Sequence, residues 1–278
     1  MTKKRISRKQ RVTAKRPGPR RTQGAYDARI RRLQSQLGLR ADGILGPATL
    51  SSLEQRVGLA ATDTGALVAS RQGLDQLVSF EISSPAYYRK RLSHPTWPGV
   101  ESGVTIGIGY DVGMSAAAEV RVDWSPHLDS ATLDRLLTAV GITGSRAQAL
   151  LASLVDLTIA LESAEAVFYS RSLPLAAQTT RALYPGIERL PADAQSMLLS
   201  LVYNRGASTA GPRRTEMFTL KALIAAPSPQ DLEAIAAQLE AMARLWPDTK
   251  GLRDRRITEA TLIRGADHPY AASDLITL

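Results

Sequence analysis

Glu81 ends the run Leu77-Val78-Ser79-Phe80, and a carboxyl group set behind apolar side chains is costly to ionise. It is therefore expected to hold its proton near neutrality and to serve as a general acid. Cleaving a glycosidic bond requires such a proton on the leaving oxygen, together with a group on the opposite sugar face that readies a water or steadies the oxocarbenium ion. Asp111 is the second candidate. It follows the stretch Thr105-Ile106-Gly107-Ile108-Gly109-Tyr110, whose small residues would let a sugar ring come close to the backbone. Thr105 opens that stretch and offers a hydroxyl. Each of the three also has an ordinary structural reading: a helix-end charge for Glu81, a turn or cap for Asp111, a strand filler for Thr105. Tyr87, Tyr88, Trp97 and Tyr110 fall near these acids in the sequence and could either stack on sugars or pack in a core.

Other chemistries lack their residues. The chain has no cysteine, which removes disulfides, thiolate metal sites and cysteine nucleophiles. His94, His127 and His268 are scattered singly, without the HxH or HExxH spacing of a zinc site, so no metal is expected. No G-x-S-x-G elbow is present. Gly107, Gly109 and Gly113 are spaced GxGxxxG with no βαβ unit around them, which does not make a dinucleotide site. No cofactor is expected.

The elements that must carry these residues can be read from periodicity. With 278 residues, 44% of them hydrophobic, the chain is long enough for one medium domain and a smaller accessory. The formal charge of +9 is local: Met1 to Gln23 holds ten Lys and Arg and no acid, and removing these from 35 bases leaves 25 against 26 acids. That tail lacks the apolar content to fold alone. Ile30, Leu33 and Leu37 predict a helix over Tyr26 to Leu37, ended by Gly38. Asp42-Gly43 then marks a turn, and Gly46-Pro47 opens a second helix through Leu50, Leu53 and Val57. A linker over Gly58 to Ala66 leads into the larger part, which gives a division into 1–23, 24–65 and 66–278. There the spacing predicts helices over 69–82, 115–122, 130–139, 145–155, 161–170, 174–182, 191–204, 215–226, 229–244 and 251–264, and a short strand or hairpin over 103–113. The expected class is mainly α, an α+β fold with one small hairpin.

Two stretches resemble known families. LQSQLGLRADGILGPATLSSL resembles the peptidoglycan-binding domain type 1, with its LQ, LGL and DGxxGPxT order. This implies a small helical wall-binding module with contacts at Leu39, Asp42 and Gly43. Glu81, followed about two dozen residues later by SGVTIGIGYDVG, resembles the pesticin-like branch of the phage lysozyme superfamily, and LLSLVYNRGAS and LWPDTKGLRDRRITEATL are similar to that superfamily's closing helices. The resemblance implies a lysozyme-like catalytic domain in which Glu81 is the general acid while Thr105 and Asp111 hold the attacking water, with inversion at the anomeric carbon. Ordinary phage lysozymes place the aspartate six residues before the threonine, and this chain has Gly99 there. Glu101, near that older position, is a competitor for the second role.

The implied activity is that of a muramidase, a peptidoglycan hydrolase cutting between N-acetylmuramic acid and N-acetylglucosamine. Tyr110, Trp97, Asn204 and Arg205 are the expected substrate contacts. Arg255 and Arg256 either support the helix ending at Asn204, touch peptide stems, or pair with Glu259 or Asp254 on a solvated helix face. The rival readings are a lytic transglycosylase, which needs one glutamate and closes an anhydro ring, and a wall-binding protein with no catalysis. The expected partner is bacterial peptidoglycan, met as a monomer, with the basic tail on anionic envelope polymers and no specific nucleic acid. No apolar run follows Lys3, Lys4 and Arg5, and no apolar stretch is long enough for a membrane span. The expectation is synthesis in the cytoplasm, as in a phage-infected cell, with action at the wall.

Overall fold

The computed structural model describes residues 23–39, 41, 43, 49, 53, 56, 66–226 and 230–278. The basic tail up to Thr22, Asp42, the Gly46-Pro47 turn, Leu50, Val57 and the linker from Gly58 to Gly65 lie outside the described residues. Helix makes up 63% of the structure and strand 6%, so the chain is mainly α with a small β part. Among the described residues no helix is long and apolar enough to cross a membrane.

Helix α1 spans Gln23–Gln36 and stops at Gly38, which adopts φ +72°. The Leu39 N–H reaches back to the Gln34 carbonyl at 2.8 Å and the Gly38 N–H to Ser35 at 3.2 Å. These two bonds satisfy carbonyls that a helix end leaves bare, and glycine makes the left-handed turn cheap. Gln34 then explains the motif that follows. Its buried amide donates to Thr49 Oγ1 at 3.0 Å and accepts from the Gly43 N–H at 2.8 Å, so a single side chain ties helix, turn and second segment together.

The larger part is built around helix α9, Ala192–Arg205, in which every residue from Ala192 to Val202 is buried. A helix covered on all sides must be surrounded, and its neighbours are β1 (Val68–Ser70), α2 (Arg71–Ile82), α8 (Leu173–Leu183) and α12 (Lys250–Arg264). Between α2 and α8 run α3 (Pro85–Tyr87), which passes into a π-turn at Tyr88–Leu92, then α4 (Ala117–Trp124), α5 (Ser130–Leu137), α6 (Gly144–Leu151) and α7 (Leu161–Val167), which continues through a second π-turn at Phe168–Ser172. After α9 come α10 (Thr215–Ala225) and α11 (Leu232–Ala241). The helix predicted from 229 begins at 232 because Asp231 caps it, accepting from the Ala234 N–H at 2.9 Å.

Two antiparallel strand pairs are found among the described residues. The predicted hairpin is β2 (Thr105–Ile106) with β3 (Tyr110–Asp111), in register Thr105 to Asp111 and Ile106 to Tyr110. The second pair has no counterpart in the sequence reading. Strand β1 pairs with β4 (Leu275–Thr277), Val68 opposite Thr277, where a helix was expected from residue 69. Ser70 stops the helix from starting earlier, since it is extended and its hydroxyl caps α2 by accepting from the Gly73 N–H at 2.9 Å.

Helix α2 meets α9 at a point with no spare room. A β-carbon on Gly73 would lie 2.3 Å from Ser196 Cβ and 2.6 Å from its hydroxyl. Gly73→Ala is therefore expected to push the two helices apart at a cost of about 1–3 kcal/mol. Thermal unfolding of the variant checks this, and an unchanged midpoint would show that the helices separate freely.

Candidate functional site

An open groove of about 590 Å³ runs between the hairpin and the helices, and its lining includes Glu81, Tyr110, Asp111, Tyr203 and Asn204. Glu81 comes from the last turn of α2 and Asp111 from the end of β3. One carboxyl thus arrives on a helix and the other on the hairpin, and both line the same opening.

Glu81 does not sit in the apolar enclosure that its neighbours in sequence suggest. Its Oε1 accepts from Arg255 Nη1 at 2.7 Å, and the Arg255 guanidinium lies 4.8 Å from the centre of the Phe80 ring. The reason is that α12 lays Arg255 across the end of α2, a contact between residues 174 apart. Among the described residues Glu81 Oε2 has no hydrogen-bond partner.

Behind Glu81 lies a buried charge cluster. Arg255 also donates to the Ser200 hydroxyl at 2.9 Å and to Glu259 Oε1 at 3.2 Å, while Arg256 donates to the same Glu259 oxygen at 2.9 Å and Ser200 to it at 2.6 Å. Arg256 and Glu259 are both fully buried. Burial pushes Glu259 up and Arg256 down, each toward its neutral form, and their mutual attraction opposes this. Of the readings open for Arg255 and Arg256, support of the helix ending at Asn204 and pairing with Glu259 are both realised, in a core and not on a solvated face, because positions 255, 256 and 259 form the α12 stripe that packs on α9. Asp254 turns outward and pairs with Lys250.

Asp111 is held by the backbone of its own loop. Its Oδ2 accepts from the Gly103 N–H at 2.9 Å and its Oδ1 from the Met114 N–H at 3.0 Å. The approach is so close that a β-carbon on Gly103 would fall 2.3 Å from Asp111 Oδ1. The ordinary reading of Asp111 as a turn residue is therefore realised, and its place on the groove wall comes with it. Thr105 is directly opposite Asp111 in the hairpin, so their side chains share one face of the pair. It does not line the groove itself, and its hydroxyl is 3.5 Å from the Gly103 carbonyl.

The remaining candidates divide. Tyr110 lines the groove though the residue is only 8% exposed, its hydroxyl donating to Asp123 at 2.8 Å and its ring meeting Trp124 in a T-shaped contact. Asn204 lines it too, with Oδ1 3.4 Å from Arg256. Trp97 and Arg205 do not. Trp97 packs on the core and donates to the Ser102 carbonyl at 3.0 Å. Arg205 points to the other side of α9, over the Trp246 ring at 4.9 Å and onto the Arg213 carbonyl at 2.6 Å. Burial and the repulsion of Arg214 and Arg256 lower Arg205 to about 10. Glu101 stands exposed and away from the groove lining. In the N-terminal unit Leu39 is buried and the Gly43 N–H is taken by Gln34, so both serve that unit's own packing. Asp42 lies outside the described residues.

The structure adds a lip that no spacing announced. Arg171, from the second π-turn, lines the groove and pairs with Glu119 and, at 3.5 Å, with Asp123, both on α4. No protein-family model matches the chain, and no curated protein matches it.

Proposed function

We propose that the chain is a peptidoglycan hydrolase of the muramidase kind, in which Glu81 protonates the glycosidic oxygen and Asp111 readies a water from the far side of the sugar. The observation that supports this is that Glu81 and Asp111 line one open groove, from a helix and a hairpin respectively. Two carboxyls facing a shared opening are what acid-assisted glycoside hydrolysis uses. Arg255 holds one Glu81 oxygen, so in this reading the other, which has no partner among the described residues, carries the proton. The resemblance noted for SGVTIGIGYDVG supports the same assignment, and wall peptidoglycan is the proposed partner.

A second reading, a lytic transglycosylase, is favoured by one observation: both Asp111 oxygens already bond to backbone N–H groups, and Thr105 lies off the groove lining. Only Glu81 would then act. Digestion of purified peptidoglycan separates the two, because hydrolysis leaves reducing N-acetylmuramic acid and the transglycosylase leaves the anhydro sugar, which mass spectrometry distinguishes. Asp111→Asn sharpens the comparison. As a hydrolase the variant is expected to lose roughly 10²-fold or more in rate, whereas as a transglycosylase it would keep making anhydro ends at near the wild-type rate. Release of free amines instead of sugar ends would sink both.

A further inference from the structure

One hydroxyl ties the turn of the hairpin to α9. Tyr203 donates from its phenol to the Ile108 carbonyl at 2.8 Å, and Ile108 sits between Gly107 and Gly109, at φ +61° and +72°. A β-carbon on Gly109 would come within 3.0 Å of that same hydroxyl, so the turn is both bonded to the tyrosine and pressed against it. The ring itself packs edge-on against Phe168, centroids 5.6 Å apart. One turn earlier on the same face of α9, Ser200 holds Arg255, and Arg255 holds Glu81. Two residues past the turn on the other side comes Asp111.

We propose that Tyr203 is a positioning residue, whose hydroxyl sets the gap between Glu81 and Asp111 by fixing the hairpin to the helix that anchors the Arg255 cluster. This inference rests on the glycan-cleaving reading above and adds to it a residue that touches neither reacting atom. Burial pushes the Tyr203 phenol well above its ordinary value, and the neighbouring Glu81 charge acts the same way. The hydroxyl therefore remains a donor throughout the pH range in which a carboxyl pair works. A group of this kind sets the height of a pH–rate profile and leaves its shape unchanged.

Tyr203→Phe keeps the ring on Phe168 and removes only the hydroxyl. Wild type and variant are compared on a soluble peptidoglycan fragment across pH, with amide hydrogen exchange at Gly109 to Asp111 measured in parallel. The expected result is a fall in kcat of about tenfold, since small misplacements of reacting groups are costly, with KM within about twofold and both limbs of the pH profile unmoved. Exchange in the turn is expected to quicken by about tenfold as the tie is lost. Wild-type kcat in the variant overturns the inference, as does loss of one limb of the profile, which would make Tyr203 an acid or base. If the wild type cleaves no glycan, the muramidase reading falls by itself. Turn exchange then decides whether the tie exists, and unchanged exchange overturns it.

Discussion

Glu81→Gln is expected to lower glycan cleavage by roughly 10²–10⁴-fold, the range that a positioned acid contributes, while leaving the fold intact. The amide has the shape of the carboxyl but no proton to give. Its carbonyl oxygen can still accept from Arg255 Nη1, which stands 2.7 Å from the present carboxylate and keeps its bonds to Ser200 and Glu259. The buried guanidinium is therefore not stranded. Binding to peptidoglycan should survive, because Tyr110, Asn204 and the groove wall are untouched. Turnover of purified peptidoglycan and a thermal midpoint measured on the same preparation check both halves. Cleavage at the wild-type rate would remove Glu81 from the mechanism.

Glu259→Gln makes the opposite trade. This carboxylate is the anion between Arg255 and Arg256, and Arg256 has no other salt bridge among the described residues, its further hydrogen bond being to Asn204 Oδ1 at 3.4 Å. Removing one side of a fully buried pair leaves a charge uncompensated where water cannot reach it, a loss on the order of 3–5 kcal/mol. For a body of this size that corresponds to a drop of about 10 °C in thermal midpoint. Activity should fall as well, by a route distinct from the loss of the acid, since Arg255 would swing on Glu81 as its only carboxylate. A midpoint within a few degrees of wild type would show that the cluster does not hold α12 to α9.

The two variants expose what the sequence could and could not convey. Local signals were good guides: Gly38 ends its helix in the left-handed turn its position suggests, and the glycines around Ile108 form the hairpin. Glu81 and Asp111 were legible as candidates because an acid after an apolar run and an acid after a glycine-rich run are short-range patterns. Their surroundings were not. The partner of Glu81 is 174 residues away and that of Arg171 is 52 away, and periodicity says only which face of a helix is covered, never by what. For the same reason the sequence left Arg255 and Arg256 open between bracing the helix that ends at Asn204 and pairing on a solvated face, and Arg205, one residue past Asn204, lies off the groove lining. Trp97 misled because an aromatic ring close in sequence to an acid can as readily brace a loop. Tyr203 carried no sequence signal beyond its place next to Asn204.

The pairing of β1 with β4 bears on how the molecule is made. Helix α2, which delivers Glu81, starts directly from a strand whose only ladder partner among the described residues is β4. Val68 meets Thr277 across most of the described sequence, and the entropy of closing so long a loop must be met before the pairing is rewarded. The N-terminal end of α2 is therefore expected to be tied down late in folding, after the local helices have formed.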